Sequence, residues 1–165
     1  MINNIDFLKK LKNIQCIAYD FDGVMTDNRV LVDEKGIEAV FVNRSDGYAI
    51  SHIKEMGILQ VIVSTEQNRV VVARAKKLKI DYYYGVDDKG SILKEYCKKN
   101  KIDLKRVLFI GNDLNDLSAF CVAGLTGSPS DAYDAIKNRA SWVFQKKGGE
   151  GVIRELYDYL SGEWL

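Results

Sequence analysis

Short apolar runs alternate with longer helical patterns along this chain. The runs rich in β-branched or aromatic residues, which predict buried strands, lie at 14–21, 59–64, 82–86, 107–110 and 142–144. The segments with apolar residues at helical spacing lie at 46–56, 68–78, 90–99, 116–123, 132–140 and 151–160. Strands that alternate with helices of this length predict βαβ units, and hence an α/β fold with a central parallel sheet.

One segment breaks the alternation. Residues 29–42 contain two short apolar stretches on either side of a polar turn at 33–36, and this pattern predicts a β-hairpin. The chain shows no repeat, no low-complexity tract and no linker. We therefore expect residues 1–165 to form a single domain, with the hairpin at about 29–42 and a C-terminal tail at about 146–165.

Composition narrows the range of partners. The formal net charge is +1 over 165 residues, so the chain lacks the charge excess that binds nucleic acid or an anionic membrane. No apolar run approaches the roughly 20 residues of a membrane span, and residues 1–12 do not resemble a signal peptide. Cys16, Cys97 and Cys121 lie far apart in apolar segments, which favours reduced core thiols in a cytoplasmic protein. With one histidine and no C-x-x-C pair, a metal site built from thiolates is not expected.

Two carboxylates follow the first predicted strand. Asp20 and Asp22 lie in the run D-F-D-G-V-M-T-D at 20–27, where the chain must turn at Gly23. Ligands bind outside the carboxyl ends of the strands in open α/β sheets, so a site is expected here. Two aspartates can bind Mg²⁺, and one can act as nucleophile while the other transfers protons. The alternative is an acidic, solvated turn without chemistry.

Other predicted strands also end in polar residues. Ser64 and Thr65 can hold phosphate oxygens through hydroxyl and backbone N–H groups, although both residue types also favour helix N-caps. Lys89 opens a helix, where the helix dipole disfavours a cation. It can offset the charge of a nucleophile and a phosphate, or it can be an ordinary surface residue.

The fourth strand is followed by a polar run, G-N-D-L-N-D at 111–116. Asn112, Asp113 and Asp116 in this run can complete a metal site. They can also cap the helix that follows, and both descriptions can hold at once.

Taken in order, these runs resemble motifs I to IV of the haloacid dehalogenase (HAD) superfamily, whose members are mostly Mg²⁺-dependent phosphatases. The resemblance implies a three-layer, Rossmann-like core and a mechanism through an aspartyl-phosphate. It implies that Asp20 is the nucleophile, that Asp22 is the general acid and base, and that both bind the metal. It also implies that Ser64, Thr65 and Lys89 hold the transferred phosphate.

The fourth motif departs from the commonest form of the family. The position after Gly111, usually an aspartate, is Asn112 here. Either the Asn112 amide oxygen binds Mg²⁺, or Asp113 moves into that place. Asp116 is then expected to act through metal-bound water. An uncharged amide ligand would weaken the affinity for the metal.

Two further segments, F-V-N-R-S-D-G-Y at 41–48 and K-K-G-G-E-G-V-I-R-E at 146–155, resemble a capless HAD subgroup. It comprises phosphatases of 3-deoxy-D-manno-octulosonate (KDO) 8-phosphate and of acylneuraminate or KDN 9-phosphate. The resemblance implies a homo-oligomer, a tetramer, that hydrolyses a 3-deoxy-2-ulosonic acid phosphate. It implies that the substrate is bound by Arg44, Ser45, Glu66 and Arg154, with Glu66 more usual in the nine-carbon members.

Only about forty residues separate Asp22 from Ser64, which leaves room for the hairpin but not for a cap domain. We therefore expect a site with no lid of its own, which would favour a macromolecular substrate unless the hairpin or the tail of a neighbouring subunit closes it. The alternative is a hairpin folded onto its own domain. A different function is also open, because Asn112 is unusual: a weakly active HAD-like domain that serves oligomerisation or regulation beside an acylneuraminate cytidylyltransferase.

Overall fold

The first strand, β1 (Cys16–Tyr19), lies inside a six-stranded parallel sheet in the computed structural model, which describes residues 4–162. β1 pairs on one side with β4 (Leu59–Val63) and on the other with β6 (Val107–Ile110). β5 (Asp81–Tyr83) extends the sheet beyond β4, while β7 (Leu125–Ser128) and β8 (Trp142–Val143) extend it beyond β6. The predicted central parallel sheet is confirmed.

The helices connect these strands. They are α1 (Asn4–Leu11), α2 (Arg44–Glu55), α3 (Arg69–Leu78), α4 (Lys89–Asn100), α5 (Leu117–Phe120), α6 (Asp134–Lys137) and α7 (Val152–Ser161), with 3₁₀ turns at Leu104–Arg106 and Leu114–Asp116. Asn43, Asn68 and Asp88 precede α2, α3 and α4, and each side chain accepts a hydrogen bond from the N–H group two residues on. These caps are local, so the start of each helix follows from the sequence around it.

Apolar cores cover both faces of the sheet. Side chains alternate along β1, so that Ile17 and Tyr19 belong to the core under α1, α2, α3 and α7. Cys16 and Ala18 belong to the core under α4, α5 and α6. This is the three-layer, Rossmann-like arrangement predicted for the chain.

The structure contains a strand and a helix that the sequence did not predict. β7 has no β-branched run, and a Cβ on its Gly127 would lie 2.8 Å from the Phe144 ring, so close packing explains this strand better than residue preference does. α1 falls within the polar segment 1–12. Two of its residues one turn apart, Phe7 and Leu11, are nevertheless buried, and the Phe7 ring stacks on Trp142 with centroids 4.6 Å apart.

The structure also differs from the sequence prediction in the ends of one strand and two helices and in the burial of one cysteine. The strand predicted at 14–21 ends at Tyr19, because the chain turns from Asp20 onwards. The helix predicted at 132–140 is limited to α6, and the one predicted at 116–123 becomes a 3₁₀ turn followed by α5. Cys16 and Cys97 are buried free thiols, whereas Cys121 is exposed and not the core residue predicted.

The predicted hairpin is present as β2 (Leu31–Val32) and β3 (Glu38–Ala39), an antiparallel pair outside the main sheet. Its apolar residues Val30, Leu31, Val32, Ile37 and Phe41 are exposed. Glu38 also accepts a hydrogen bond from Asn68, the N-cap of α3, so the hairpin touches its own domain. None of the helices among the described residues is long and apolar enough to cross a membrane.

Candidate active site

The carboxyl ends of β1, β4 and β6 meet at one edge of the sheet. Because these strands are parallel neighbours, the segments that begin at Asp20, Ser64 and Gly111 leave the sheet side by side. A cavity of about 160 Å³ lies there, lined by Asp20, Asp22, Asn28, Ser64, Thr65, Glu66, Asn112, Asp113 and Asn115. The residues predicted for catalysis, phosphate binding and metal binding therefore converge, except that Lys89 and Asp116 lie outside the lining.

A buried cation holds Asp20. Lys89 Nζ lies 2.7 Å from Asp20 Oδ1, and the N–H group of Phe21 donates to the same oxygen over 2.7 Å. Burial raises the pKa of Asp20 to about 7, repulsion from Asp116 adds to the rise, and Lys89 opposes both. Lys89 is fully buried at the start of α4, so in this structure it supports the carboxylate without facing the cavity.

Asp116 completes this buried group. Its Oδ1 accepts a hydrogen bond from Lys89 Nζ, and its Oδ2 accepts from the N–H groups of Asn112 and Asp113 over 2.8 and 3.2 Å. Burial lowers the pKa of Lys89, but attraction to Asp20 and Asp116 more than offsets this, so the pKa lies above its ordinary value. Asp116 thus orients both the lysine and the chain after β6, and its action through metal-bound water stays a prediction.

Asp22 lines the cavity from the turn after β1. The Thr26 hydroxyl donates to Asp22 Oδ1 over 3.3 Å and accepts from the N–H group of Gly23 over 3.2 Å. Burial raises the pKa of Asp22, the Thr26 hydrogen bond partly opposes this, and repulsion from Glu66 adds to the rise. A raised pKa favours the protonated carboxyl that a general acid requires.

Gly23 allows the turn to approach the strand end after β6. Its φ is 76°, and a Cβ there would lie 2.0 Å from Asn112 Nδ2. Glycine is therefore required both for the backbone conformation and for the space. The motif residue and the unusual asparagine are in direct contact.

Asn112 and Asp113 have different surroundings. This difference bears on which of the two residues binds the metal. The end of the Asn112 amide lies 3.2 Å from Asp20 Oδ2 and 3.0 Å from the carbonyl oxygen of Asp22. The amide donates to both when its nitrogen faces them, whereas its oxygen would face them if a cation were bound there. Asp113 Oδ1 instead accepts from the N–H group of Leu114 over 2.6 Å, as the cap of the 3₁₀ turn. The geometry favours Asn112 as the residue that shares a site with Asp20.

Ser64 and Thr65 are not the cap of the next helix, because Asn68 caps α3. Ser64 Oγ accepts from the N–H group of Glu66 over 3.1 Å, and Thr65 Oγ1 accepts from Asn115 Nδ2 over 3.1 Å. Both residues line the cavity, as their predicted role in phosphate binding requires. Asn115 lies between motif residues, but no periodicity in the sequence marks it.

A second cavity, of about 220 Å³, lies between the hairpin and α3. Its lining residues are Phe21, Asp22, Asn28, Arg29, Val30, Glu38, Val40, Glu66, Asn68, Val70 and Val71. Because several of these come from the segment 29–42, the chain's own hairpin encloses part of the site. The hairpin thus lines this second cavity within its own chain, and closure of the site by a neighbouring subunit stays a prediction. The alternative, a hairpin folded onto its own domain, holds for this inner face.

The sequence profile of the haloacid dehalogenase-like hydrolases matches residues 52–156. The chain belongs to this family. A 3-deoxy-D-manno-octulosonate 8-phosphate phosphatase of Yersinia pestis is 30% identical over 156 residues, which cover 94% of this chain and 83% of the relative. The family and the enzyme class predicted from the motifs, a HAD phosphatase, are confirmed.

Solved structures agree with this assignment. One assigned to the HAD hydrolase family, from Streptomyces avermitilis, has a TM-score of 0.90 and 42% identity, covering 92% of this chain and 87% of the other. The 3-deoxy-D-manno-octulosonate 8-phosphate phosphatase of Moraxella catarrhalis was solved in complex with magnesium, phosphate and KDO. It has a TM-score of 0.93 and 29% identity, covering 97% of this chain and 92% of the other. The HAD core without a cap domain is thus shared over nearly the whole chain.

The cavity of this HAD phosphatase fits a hard divalent cation. Four lining side chains are carboxylates (Asp20, Asp22, Glu66 and Asp113), and none of the described lining residues is cationic, so a phosphate dianion would be repelled. Among the described residues, no three His, Cys, Asp or Glu side chains are grouped to hold a metal. The site therefore depends on neutral oxygens. The end of the Asn112 amide lies within 3.2 Å of Asp20 Oδ2 and of the carbonyl oxygen of Asp22, so these groups would hold the cation.

The predicted substrate ligands Arg44, Ser45 and Arg154 line neither cavity. Arg154 lies on α7, where Nε donates to Asp158 Oδ1 over 2.8 Å and the guanidinium carbon lies 5.1 Å from the Tyr48 ring centroid. Arg44 and Ser45 form the first turn of α2. Of the four predicted substrate ligands, the structure brings Glu66 to the site, and the role of the other three stays a prediction.

The glycine-rich segment 148–151 packs against the turn that carries Asp22. The N–H group of Gly149 donates to the carbonyl oxygen of Val24 over 3.0 Å. A Cβ on Gly148 would lie 2.2 Å from the carbonyl oxygen of Gly23. This part of the tail is bound to its own chain, and a contribution from it to a neighbouring subunit stays a prediction.

Buried carboxylates anchor the same segment. Glu155 accepts hydrogen bonds from the N–H groups of residues 145 and 146 over 2.9 and 2.8 Å. Asp46 Oδ1 accepts from those of residues 153 and 154 over 3.1 and 3.0 Å, and so caps α7, whose own N-cap residue is a glycine. The two segments that carry the subgroup resemblance are therefore joined to each other behind the active-site turn.

Proposed function

We propose that this HAD phosphatase is Mg²⁺-dependent and hydrolyses a 3-deoxy-2-ulosonic acid phosphate, of the KDO 8-phosphate or the acylneuraminate (KDN) 9-phosphate type, through an aspartyl-phosphate. The observation that carries the proposal is the convergence of Asp20, Asp22, Ser64 and Asn112 on one cavity, with Lys89 buried against Asp20. The relatives named as KDO 8-phosphate phosphatases support the substrate class.

Asp20 is the nucleophile in this proposal. Its carboxylate attacks phosphorus, and the bond from phosphorus to the leaving oxygen breaks as the aspartyl-phosphate forms. Burial alone would keep much of Asp20 protonated near neutral pH. Lys89, 2.7 Å from Oδ1, opposes this and maintains the ionised form that attacks. Ser64 and Thr65 would hold the transferred oxygens in place.

Asp22 moves the protons. In its protonated form it gives a proton to the leaving alkoxide, and as a carboxylate it then takes a proton from the water that attacks phosphorus. Inorganic phosphate leaves, and Asp20 is regenerated. The Thr26 hydroxyl fixes one Asp22 oxygen, so the other is the better placed for this exchange.

The metal ligands in this proposal are Asp20, the carbonyl oxygen of Asp22 and the Asn112 amide oxygen, with Asp113 acting as a helix cap. When bound, Mg²⁺ supplies positive charge that offsets the phosphate and the nucleophile. Lys89, which is paired with Asp116, keeps the Asp20 carboxylate in place, and the hydrogen bond from the Asn112 N–H group to Asp116 keeps Asn112 in place.

The second cavity would take the leaving group. Glu66, Glu38 and Asn68 offer hydrogen-bonding groups, and Arg29 offers a cation, among valine side chains. Such a lining suits a polyhydroxylated chain, whose hydroxyls can donate to carboxylates. Glu66 borders both cavities, and we propose that it contributes to the choice between eight- and nine-carbon substrates.

We also propose a homo-oligomer, a tetramer by analogy with the subgroup. Leu31 and Phe41 on the outer face of the hairpin are 68% and 80% exposed. Contiguous exposed apolar residues of this kind mark interaction sites, and a second copy of the hairpin is an apolar match.

Phosphate release from KDO 8-phosphate, N-acetylneuraminate 9-phosphate, KDN 9-phosphate and p-nitrophenyl phosphate, with and without Mg²⁺, tests the function. We expect Mg²⁺-dependent turnover of at least one sugar acid phosphate and none by Asp20→Asn. Asp22→Asn should lose about 10²–10⁴-fold on the sugar acid, and less on the aryl ester, whose leaving group needs no proton. If the wild type hydrolyses none of these four phosphate esters, the proposal is refuted. That result would favour a HAD-like domain that serves oligomerisation or regulation.

A further inference from the structure

Three residues line both cavities: Asp22, Asn28 and Glu66. A phosphomonoester that spans the two cavities must place the bond between phosphorus and the leaving oxygen near this shared border. Asp22 belongs there as the proposed general acid. Asn28 is the third member of the border, and neither the motifs nor the proposed mechanism assigns it a role.

The backbone of Asn28 lies in the left-handed region, with φ of 63°. Its N–H group donates to Thr26 Oγ1 over 3.2 Å, and that hydroxyl in turn donates to Asp22 Oδ1. The conformation is thus tied to the position of Asp22. Asparagine adopts this region more readily than most other residues with a side chain, so the position can present an amide at the border.

The Asn28 side chain is exposed at the border, and its amide makes no hydrogen bond within the described part of the chain. An amide offers two donors and one acceptor, whereas its neighbours Asp22 and Glu66 are acidic. Asn28 is therefore the neutral donor of the border. It can donate to an oxygen beside the phosphoester and accept from a hydroxyl of the leaving group.

We propose that Asn28 is a specificity-determining residue, which hydrogen-bonds the polyhydroxylated leaving group next to the phosphoester bond. This rests on the proposed phosphatase function and deepens it. An aryl phosphate has no hydroxyl in that position, so it would gain nothing from the amide. The contribution of Asn28 should therefore depend on the leaving group.

The decisive variant is Asn28→Gly, because glycine keeps the left-handed backbone and removes only the side chain. We expect kcat/KM for the best sugar acid phosphate to fall about 10-fold, mainly through KM, as one or two hydrogen bonds are lost. The value for p-nitrophenyl phosphate should stay within about 2-fold of the wild type. The melting temperature should not fall, since glycine relieves strain at this φ.

Two further variants serve as controls. Asn28→Ala removes the same amide but strains the backbone, so it should add a loss of thermal stability to the same loss in kcat/KM. Asn28→Asp keeps the acceptor, removes the donor and adds negative charge, so it should raise KM more than Asn28→Gly does.

Equal losses with the sugar acid and the aryl phosphate in Asn28→Gly would overturn the inference, since the side chain would then act through Asp22. An unchanged KM for the sugar acid would overturn it as well. A wild type that hydrolyses neither ester would overturn the proposed function and this inference with it. The first two results leave the proposed function intact.

Discussion

Lys89 Nζ donates a hydrogen bond to Asp116 Oδ1 over 2.6 Å, and neither side chain is exposed to solvent. Asp20 lies on the other side of the same ammonium group, at 2.7 Å. One lysine therefore separates two buried carboxylates that repel each other. The nucleophile depends on this arrangement, because without the cation burial would favour its protonated form.

Replacing Lys89 by methionine should destabilise the fold by about 3–5 kcal/mol, because it leaves two buried carboxylates without a cation. Urea unfolding at pH 7.5 measures this. The double variant Lys89→Met with Asp116→Asn removes one of the two charges and should regain much of the stability, but not the phosphatase activity. Equal stability of the single and double variants would contradict the account.

The assignment of Asn112 as the neutral metal ligand predicts the effect of charge at that position. Asn112→Asp should bind Mg²⁺ more tightly than the wild type, because it adds a charge beside Asp20. Asp113→Asn should change the affinity little, since asparagine can still cap the 3₁₀ turn. Calorimetric titration with Mg²⁺, without substrate, compares the wild type with these two variants and with Asn112→Ala. A larger loss of affinity in Asp113→Asn than in Asn112→Ala would reverse the assignment.

The proposed oligomer predicts the effect of polar substitutions on the outer face of the hairpin. Leu31→Ser with Phe41→Ser should shift the protein to monomers in sedimentation velocity, because these side chains are among the most exposed apolar ones. Val40 is unsuitable for this test, since it lines the second cavity. Turnover of an aryl phosphate should be retained, as the Asp20 chemistry lies within one chain. A monomeric wild type would refute the proposal.

Asp46 predicts a dependence of stability on pH. Burial raises its pKa to about 6, and the hydrogen bonds from residues 154 and 153 only partly oppose this. The folded state thus binds the proton more tightly than the unfolded state, whose pKa is about 3.9. The resulting stabilisation is complete below pH 3.9 and is lost as the pH rises through about 6.

Asp46→Asn tests this, because the amide keeps the acceptor that caps α7 but does not titrate. The stability of the variant relative to the wild type should rise by about 2 kcal/mol between pH 4 and pH 7. Chemical denaturation at a series of pH values gives the free energy of unfolding of both proteins. Because the other titrating groups are the same in both, their contribution cancels in the difference. A difference that is constant with pH would show that Asp46 does not titrate in this range.

The packing of the tail predicts that Gly148→Ala damages catalysis. Gly148 lacks a positive φ, so the cost comes from its Cβ, 2.2 Å from the Gly23 carbonyl oxygen. A displaced active-site turn should lower kcat by about 10²-fold on both ester types. Gly47→Ala is the matched control, because its Cβ would meet only ordinary contacts from 3.5 Å. A Gly148→Ala enzyme with full kcat would show that the turn does not depend on this contact.

The catalytic core was predictable because its signals are local. Asp20, Ser64 and Asn112 each follow an apolar run, and parallel strands bring their carboxyl ends to one edge whatever the intervening helices do. The helix caps Asn68 and Asp88 are local for the same reason, since each bonds to the chain two residues on. Periodicity and motif order therefore predicted the sheet, the family and most of the cavity.

What only the tertiary structure decided rests on contacts between residues far apart in sequence. The bond from Asp46 to the start of α7 joins positions more than 100 residues apart, and it holds Arg154 on that helix, away from the cavities. The border role of Asn28 likewise exists only once the hairpin folds against α3. Such contacts form when whole helices and strands pack against each other, so they cannot be predicted from the local periodicity of the sequence.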